Sequence, residues 1–139
     1  MCPPKEPTSV KRTVLVALAL FAAGCAPTAP SSVPEGIIVF MDTNFSGPFQ
    51  PFTADIADLE DVNGICGDSV SAIVSNDDWG DCISSIRIAP GWAATVYKDD
   101  HYQGQSLTIT ADTPNLKNVP GPCGDDWNDC ISSIRMFRQ

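Results

Sequence analysis

The chain has 139 residues, with 17 acidic and 8 basic side chains and a formal net charge of −9. A protein this acidic repels the phosphates of nucleic acids, so we expect no nucleic-acid partner, and it suits divalent cations or basic partners. Its length allows one domain of ordinary size.

The first 24 residues have the organisation of an export signal. Lys11 and Arg12 precede the apolar run 13–23, which is too short to span a bilayer. The run ends in small residues before Cys25, and this ending resembles the lipobox of bacterial lipoproteins. The resemblance implies that Cys25 is lipidated and anchors the exported chain in the cell envelope, at the outer membrane or cell surface.

Two further segments of the N-terminal region differ from the basic and apolar parts of this signal. Residues 1–9 precede the basic region and are unlike it, and we hypothesise that translation starts at Val10. Residues 25–35 are rich in Pro, Ser and Ala, which predicts a semi-extended tether without a core of its own. The folded domain is therefore predicted at 36–138.

One segment of this domain occurs twice. Residues 77–87 read DDWGDCISSIR and residues 125–135 read DDWNDCISSIR, so Gly80 and Asn128 are the single difference. A period of about 50 residues is typical of a small repeated β unit.

The duplication divides the domain into two repeats, 36–89 and 92–138. They align with an offset of 57 residues as far as Cys66 and Cys123, and with an offset of 48 afterwards. The first repeat therefore contains an insertion of nine residues, at about Ser69–Asp77.

Short runs rich in β-branched and aromatic residues predict strands in both repeats. They are 36–41, 93–97 and 106–110, together with the isoleucine-containing ends of both duplicated segments. Single helical turns are expected at 54–59 and near Leu116. Four strands per repeat predict an all-β fold, in which two Greek-key motifs pack as a β-sandwich of about eight strands.

Two patterns in each repeat resemble the βγ-crystallin family. The first is the hairpin pattern aromatic-x4-aromatic-x-Gly, here Phe40, Phe45 and Gly47, and again Tyr97, Tyr102 and Gly104. The second is the microbial calcium signature (N/D)(N/D)xx(S/T)S, which 128–133 match in full and 80–85 match except at Gly80. The resemblance covers nearly all of 36–138 and implies a βγ-crystallin-type sandwich.

The same resemblance implies two calcium sites where the repeats meet, each with ligands from both signatures. The implied ligands are signature side chains and the carbonyl after the first aromatic of each hairpin: Asp81, Ser84, Asn128, Asp129, Ser132, Met41 and Lys98. Calcium takes six to eight oxygen ligands, which such a set begins to supply.

The two serines of each signature are expected to differ. Alternation along the strand places Ser84 and Ser132 on one face and Ser85 and Ser133 on the other, so only one serine of each pair faces the ion. By resemblance, Ser85 and Ser133 bond to the folded hairpin. Gly80 supplies no side-chain oxygen, so the site that relies on it is expected to be the weaker one.

The cysteines of the domain are expected to form disulfides, because their number is even and the chain is exported. They are Cys66, Cys82, Cys123 and Cys130. The pairs Cys66–Cys82 and Cys123–Cys130 keep the repeats alike, and the cross-repeat pairs Cys66–Cys123 and Cys82–Cys130 remain open. A zinc site is disfavoured because no CxxC pair occurs.

The predicted function is a calcium-binding envelope protein, in which calcium stabilises a rigid β-sandwich. We expect no enzyme, since the sequence contains no nucleophile elbow, phosphate loop or metalloprotease motif. His101, the single histidine, is expected to be solvated, and Trp79 and Trp127 to be core residues. One alternative is a secreted proteinase inhibitor with this fold, using the Ser69–Asp77 insertion as its loop. The other is a structural envelope protein without an ion.

Overall fold

The computed structural model describes residues 29–30, 32–33, 35–64, 66 and 78–139. The signal segment, Cys25 and the Ser69–Asp77 insertion lie outside the described residues, and what was predicted for them stays a prediction. Among the residues that are described, no helix is long and apolar enough to cross a membrane.

The described chain forms seven β-strands. They are β1 (Ile37–Asp42), β2 (Ser46–Phe52), β3 (Ser85–Ile88), β4 (Trp92–Asp99), β5 (Gln103–Ile109), β6 (Pro120–Cys123) and β7 (Ser133–Arg138). Single-turn 3-10 helices occupy Thr43–Phe45, Asp100–Tyr102 and Leu116–Asn118. The last of these confirms the helical turn expected near Leu116.

Six of these strands form two antiparallel three-stranded sheets, ordered β2-β1-β3 and β5-β4-β7. The registers are equivalent, because Val39 in β1 pairs with Gln50 and Ile86, while Val96 in β4 pairs with Leu107 and Ile134. The duplicated sequence thus gives duplicated sheets, and the all-β, two-motif fold is confirmed.

The outer position of β2 explains a strand that the sequence pattern does not reveal. This strand contains Pro48 and Pro51, which lack the amide hydrogen needed inside a sheet. An edge strand tolerates proline because one of its sides is unpaired.

The two repeats exchange short segments. Ile56 of the first repeat pairs with Ile134 in β7, and Thr113 of the second repeat pairs with Ile86 in β3. Each exchanged segment takes the place of the fourth strand expected in each motif. The helical turn predicted at 54–59 is wrong, because the N–H and the C=O of Ile56 both bond to Ile134, at 2.9 Å each.

The main core lies between the two sheets and draws on both repeats. Its buried members include Trp79 and Trp127, which confirms that both indoles are core residues. The aliphatic part includes Ile37, Val39, Leu59, Ile83, Ile86, Val96, Leu116, Ile131 and Ile134. Since neither sheet buries its inner face alone, the repeats fold as one unit.

A second cluster draws in the end of the predicted tether. Val33 is 4% exposed and belongs to a cluster with Ile38 and Phe40. Arg87 Nη1 also donates a hydrogen bond of 3.0 Å to the carbonyl of Pro30. The folded unit therefore begins earlier than residue 36.

Candidate metal centre

The two signature loops lie against each other, related by the pseudo-symmetry of the repeats. Asp129 N donates to Ile83 O and Asp81 N donates to Ile131 O, at 3.2 Å in both cases. Asp81 and Asp129 share a φ of 51°, a left-handed conformation that aspartate tolerates better than most residues. This kink directs each carboxylate towards the other repeat.

Each signature serine meets the aspartate of the opposite signature. Ser84 Oγ lies 3.5 Å from Asp129 Oδ1, and Ser132 Oγ lies 3.5 Å from Asp81 Oδ1. We name the group that contains Asp129, Ser84, Asn128 and Met41 the Asp129 site. We name the group that contains Asp81, Ser132, Gly80 and Lys98 the Asp81 site. At 3.5 Å these contacts are at the limit of hydrogen bonding, so the oxygens keep most of their capacity to accept another partner.

The hairpin backbone is anchored beside the signature serine in both repeats. Ser84 N donates to Phe40 O and Ser132 N donates to Tyr97 O, both at 2.9 Å, which places the following residue of each hairpin beside the signature serine. Met41 lines a cavity of about 740 Å³ together with Ser84, Asn128 and Asp129. Lys98 lines a neighbouring cavity with Asp99.

The second serine of each signature holds the hairpin and does not face either site. Ser85 Oγ accepts from Phe45 N at 3.0 Å and donates to Asp42 O at 2.6 Å. Ser133 Oγ does the same with Tyr102 N and Asp99 O, at 3.0 and 2.7 Å. Both serines are fully buried. The alternation predicted from the sequence therefore separates one serine at the site from one serine at the hairpin.

Electrostatics disfavour ionised aspartates at both sites when no cation is bound. Burial raises the pKa of Asp81, and the hydrogen bond from Ser132 offsets this only in part. Burial likewise raises the pKa of Asp129, against the lowering effect of nearby Lys117. A cation between these groups would remove the penalty by pairing with the charged form.

Asn128 contributes an oxygen that lacks a protein partner. Its Nδ2 donates to Asp129 Oδ2 at 2.6 Å, while its Oδ1 is buried without a hydrogen-bond partner among the described residues. Buried polar atoms are nearly always paired, so an orphaned oxygen next to a carboxylate fits a cation site.

The aspartates just upstream act as turn formers. Asp78 Oδ1 accepts from Gly80 N at 2.9 Å, and Asp126 Oδ1 accepts from Asn128 N at 2.8 Å. Their carboxylates therefore shape the signature loops by an Asx turn, although their negative field still reaches the sites.

The structure also brings to the Asp81 site four acidic residues that sequence reasoning missed. A cavity of about 330 Å³ beside Ser132 is lined by Asp58, Glu60, Asp99 and Asp100. The donor atoms of Asp58, Asp100 and His101 lie within 4.8 Å of one another. Repulsion from Asp58 and then Asp78 raises the pKa of Glu60. Comparing the two repeats at the offset of 57 residues could have identified this loop, because the offset aligns Glu60 with the oppositely charged Lys117.

Two disulfides flank the sites, Cys66–Cys82 and Cys123–Cys130, with Cα atoms 5.9 and 5.8 Å apart. This is the arrangement that keeps the repeats alike. Cys66 and Cys82 also line the cavity of the Asp129 site. The first disulfide thus ties the loop that follows β2 to the signature of the same repeat.

Solved structures similar to this chain include βγ-crystallin domains. A domain from Flavobacterium johnsoniae is 30% identical with a TM-score of 0.55, and the match covers 76% of this chain and 97% of that one. A βγ-crystallin from Ciona intestinalis is 25% identical with a TM-score of 0.51, covering 74% and 98%. A domain from Clostridium beijerinckii is 20% identical with a TM-score of 0.52, covering 74% and 98%, and supports the fold alone.

No protein-family model and no curated protein sequence matches the chain. The structural matches nevertheless cover nearly the whole length of their counterparts.

Proposed function

Since this chain belongs to the βγ-crystallin family, we propose that it binds calcium at the Asp129 and Asp81 sites and is stabilised by it. The observation that carries this proposal is the reciprocal approach of each signature serine to the aspartate of the opposite repeat, at 3.5 Å in both cases. A cation bound there links the two repeats across their interface.

The donor atoms suit a hard cation. Carboxylate, hydroxyl, amide and backbone carbonyl oxygens are the ligands that calcium takes, and Cys66 and Cys82, which line the Asp129 cavity, are joined in a disulfide and offer no thiolate. At the Asp129 site, the carboxylate, Ser84, Asn128 and the Met41 carbonyl would hold the ion. At the Asp81 site, the carboxylate, Ser132 and the Lys98 carbonyl would be the corresponding groups. Water completes the coordination.

Calcium would act on stability through linkage. A ligand that binds only the folded chain stabilises it by about 2.7 kcal/mol when its free concentration is 100 times its Kd. Extracellular calcium modules often have a Kd of about 10⁻⁴–10⁻³ M, so millimolar calcium outside the cell is enough for partial saturation. In this proposal calcium reinforces a β-sandwich and catalyses no reaction.

Calcium titration calorimetry and thermal unfolding, with and without chelator, test the proposal. We expect calcium to raise the Tm of the wild-type chain, and we expect Asp81→Ala combined with Asp129→Ala to abolish the rise. Glu35→Gln is the control, because Glu35 is an exposed carboxylate that pairs with Arg138 at 3.8 Å, away from both sites. If the wild type shows no binding heat and no rise in Tm, the proposal is wrong and an ion-free structural role takes its place.

We further propose that the chain is held at the cell envelope by a lipid on Cys25. The basic, apolar and small-residue order of 11–25 supports this. Because Ala29 and Val33 already pack against the domain, few residues separate Cys25 from it. Mass spectrometry of the envelope fraction tests the modification, and Cys25→Ala should release the protein into the soluble fraction.

A further inference from the structure

We propose that Glu60 takes over the role of the missing side chain at Gly80 and makes the Asp81 site the tighter of the two calcium sites. This inference rests on the proposed calcium binding and ranks its two sites. It reverses the order expected from the signatures alone, in which the site with glycine is the weaker one.

The space left by Gly80 is occupied from another loop. A Cβ atom built on Gly80 would lie 3.0 Å from Glu60 Cγ and 3.1 Å from Asp78 Oδ1. The Glu60 or Asp78 side chain would have to shift by a few tenths of an ångström to accept the asparagine that the second repeat has at this place. Glycine at position 80 therefore lets the Glu60 side chain run alongside the signature loop.

The position of Glu60 is fixed by its buried neighbour. Leu59 is fully buried, its N–H donates to Ser132 O at 2.9 Å, and its carbonyl accepts from Trp79 N at 3.1 Å. These bonds connect the Glu60 loop to Ser132 of the second signature and to Trp79, which directly precedes the first signature. Glu60 is thus held between the segments that form the Asp81 site.

The second repeat has the same anchoring but the opposite charge. Leu116 N donates to Ser84 O at 3.0 Å, and Leu116 O accepts from Trp127 N at 3.3 Å, so Lys117 stands where Glu60 stands in the first repeat. Lys117 lines the cavity of the Asp129 site, and its ammonium group opposes a cation there. Gly80 therefore lies next to Glu60 in the first repeat, and Asn128 lines the same cavity as Lys117 in the second.

The remaining residues around the two sites increase this difference. The cavity beside Ser132 of the Asp81 site is lined by Asp58, Glu60, Asp99 and Asp100, and Asp81 itself lines the larger cavity. The equivalents of the four acidic residues in the other repeat are Asn115, Lys117, Asp42 and Thr43. Four carboxylates therefore correspond to one carboxylate and one ammonium group. Lys98 lies next to the Asp81 site at the position equivalent to Met41. Its positive charge offsets one of the carboxylates, but the Asp81 site keeps the more negative surroundings. Calcium affinity rises with the number of charged ligands.

The amide of Asn128 does not compensate for this. Asn128 Nδ2 donates to Asp129 Oδ2, so the amide takes up part of the accepting capacity of this carboxylate before an ion arrives. Asp81 has no such amide beside it, because position 80 is glycine. A cation at the Asp129 site therefore shares its carboxylate with the amide, whereas one at the Asp81 site does not.

Calcium calorimetry on matched single variants tests the ranking. Asp81→Ala and Asp129→Ala first assign the two binding steps, and we expect Asp81→Ala to remove the tighter step. Glu60→Gln keeps the size of the side chain and removes its charge, and should weaken the tighter step by about tenfold or more while leaving the other within about twofold. Lys117→Gln is the matched control at the equivalent position and should strengthen the weaker step.

The outcomes separate this inference from the proposed function. If wild-type protein binds no calcium, the proposed function fails and the ranking fails with it. If calcium binds but Asp129→Ala removes the tighter step, or Glu60→Gln leaves both steps unchanged, the ranking alone is overturned. Chemical denaturation in chelator confirms that each variant is folded before its titration is interpreted.

Discussion

Adjacent serines in the second signature are predicted to have separate effects on the apo fold and on calcium binding. Ser133→Ala should destabilise the protein in chelator, whereas Ser132→Ala should leave the apo protein nearly unchanged and reduce its response to calcium. The two positions are neighbours in sequence and lie on opposite faces of the strand, so each variant is the control for the other.

The expected magnitudes follow from the contacts. Ser133 Oγ serves Tyr102 N at 3.0 Å and Asp99 O at 2.7 Å, and Ser133 is 0% exposed. Alanine leaves one donor and one acceptor unpaired, at about 1–3 kcal/mol each when buried. Since water reaches part of the hairpin, we expect a loss of about 2–4 kcal/mol, or roughly 10–20 °C in Tm for a domain of this size. Among the described residues the Ser132 hydroxyl makes only the 3.5 Å contact with Asp81, so removing it should cost less than about 0.5 kcal/mol.

Urea unfolding followed by tryptophan fluorescence measures both effects, because Trp79 and Trp127 are buried in the shared core. Each variant is unfolded in chelator and in saturating calcium. Ser85→Ala, whose hydroxyl bonds to Phe45 N and Asp42 O, should reproduce the loss seen with Ser133→Ala. The reasoning is refuted if Ser133→Ala is as stable as wild type in chelator, or if Ser132→Ala loses as much.

Three further predictions concern the backbone, the disulfides and pH. In thermal unfolding, Gly47→Ala should lower the free energy of unfolding by about 2 kcal/mol or more, since Gly47 has a φ of 74° and a Cβ would collide with the Asp42 carboxylate. Gly91 has a similar φ of 76° but open space around it, so Gly91→Ala should lower it by only about 1 kcal/mol. Replacing Cys66 and Cys82 together by serine should lower the free energy of unfolding by about 3 kcal/mol in urea titrations, because the disulfide spans 16 residues. An unchanged urea midpoint would contradict the expected stabilisation by this disulfide. The combined Asp81→Asn and Asp129→Asn variant should be more stable than wild type in chelator at neutral pH, because burial raises both pKa values and penalises the ionised forms. That advantage should shrink as the pH falls through the raised pKa values towards the ordinary value of 3.8, and a melting series that shows no convergence would contradict it.

The fold was predictable because its requirements are local. The hairpin pattern needs an aromatic pair and a glycine, and the structure places Phe40 and Phe45 with ring centroids 5.7 Å apart and Gly47 in a left-handed conformation. Alternation in the duplicated segment separated Ser132 from Ser133 correctly. Strand β2 escaped the pattern, because only its edge position makes its two prolines acceptable.

The candidate site was predictable only in the residues that the signature names. Glu60 reaches the Asp81 site through the bond between Leu59 and Ser132, which are 73 positions apart, and no periodicity of the chain reports such a contact. The same holds for Asp58 and Asp100, which meet beside Ser132 although they belong to different repeats. Sequence reasoning identified the groups that each repeat contributes, while the electrostatic surroundings depend on how the repeats are assembled.

A mismatch within a repeated signature therefore has to be read together with the residue that faces it. Gly80 alone indicates a lost ligand, and Gly80 with Glu60 indicates an exchange of a neutral amide for a carboxylate from another loop. In the second repeat, Asn128 is accompanied by Lys117, so the more complete signature has the less favourable charge. If calcium affinity followed the signature alone, Lys117→Gln and Glu60→Gln would have similar, small effects. If it follows the assembled surroundings, as we infer, the two substitutions change affinity in opposite directions and at different sites.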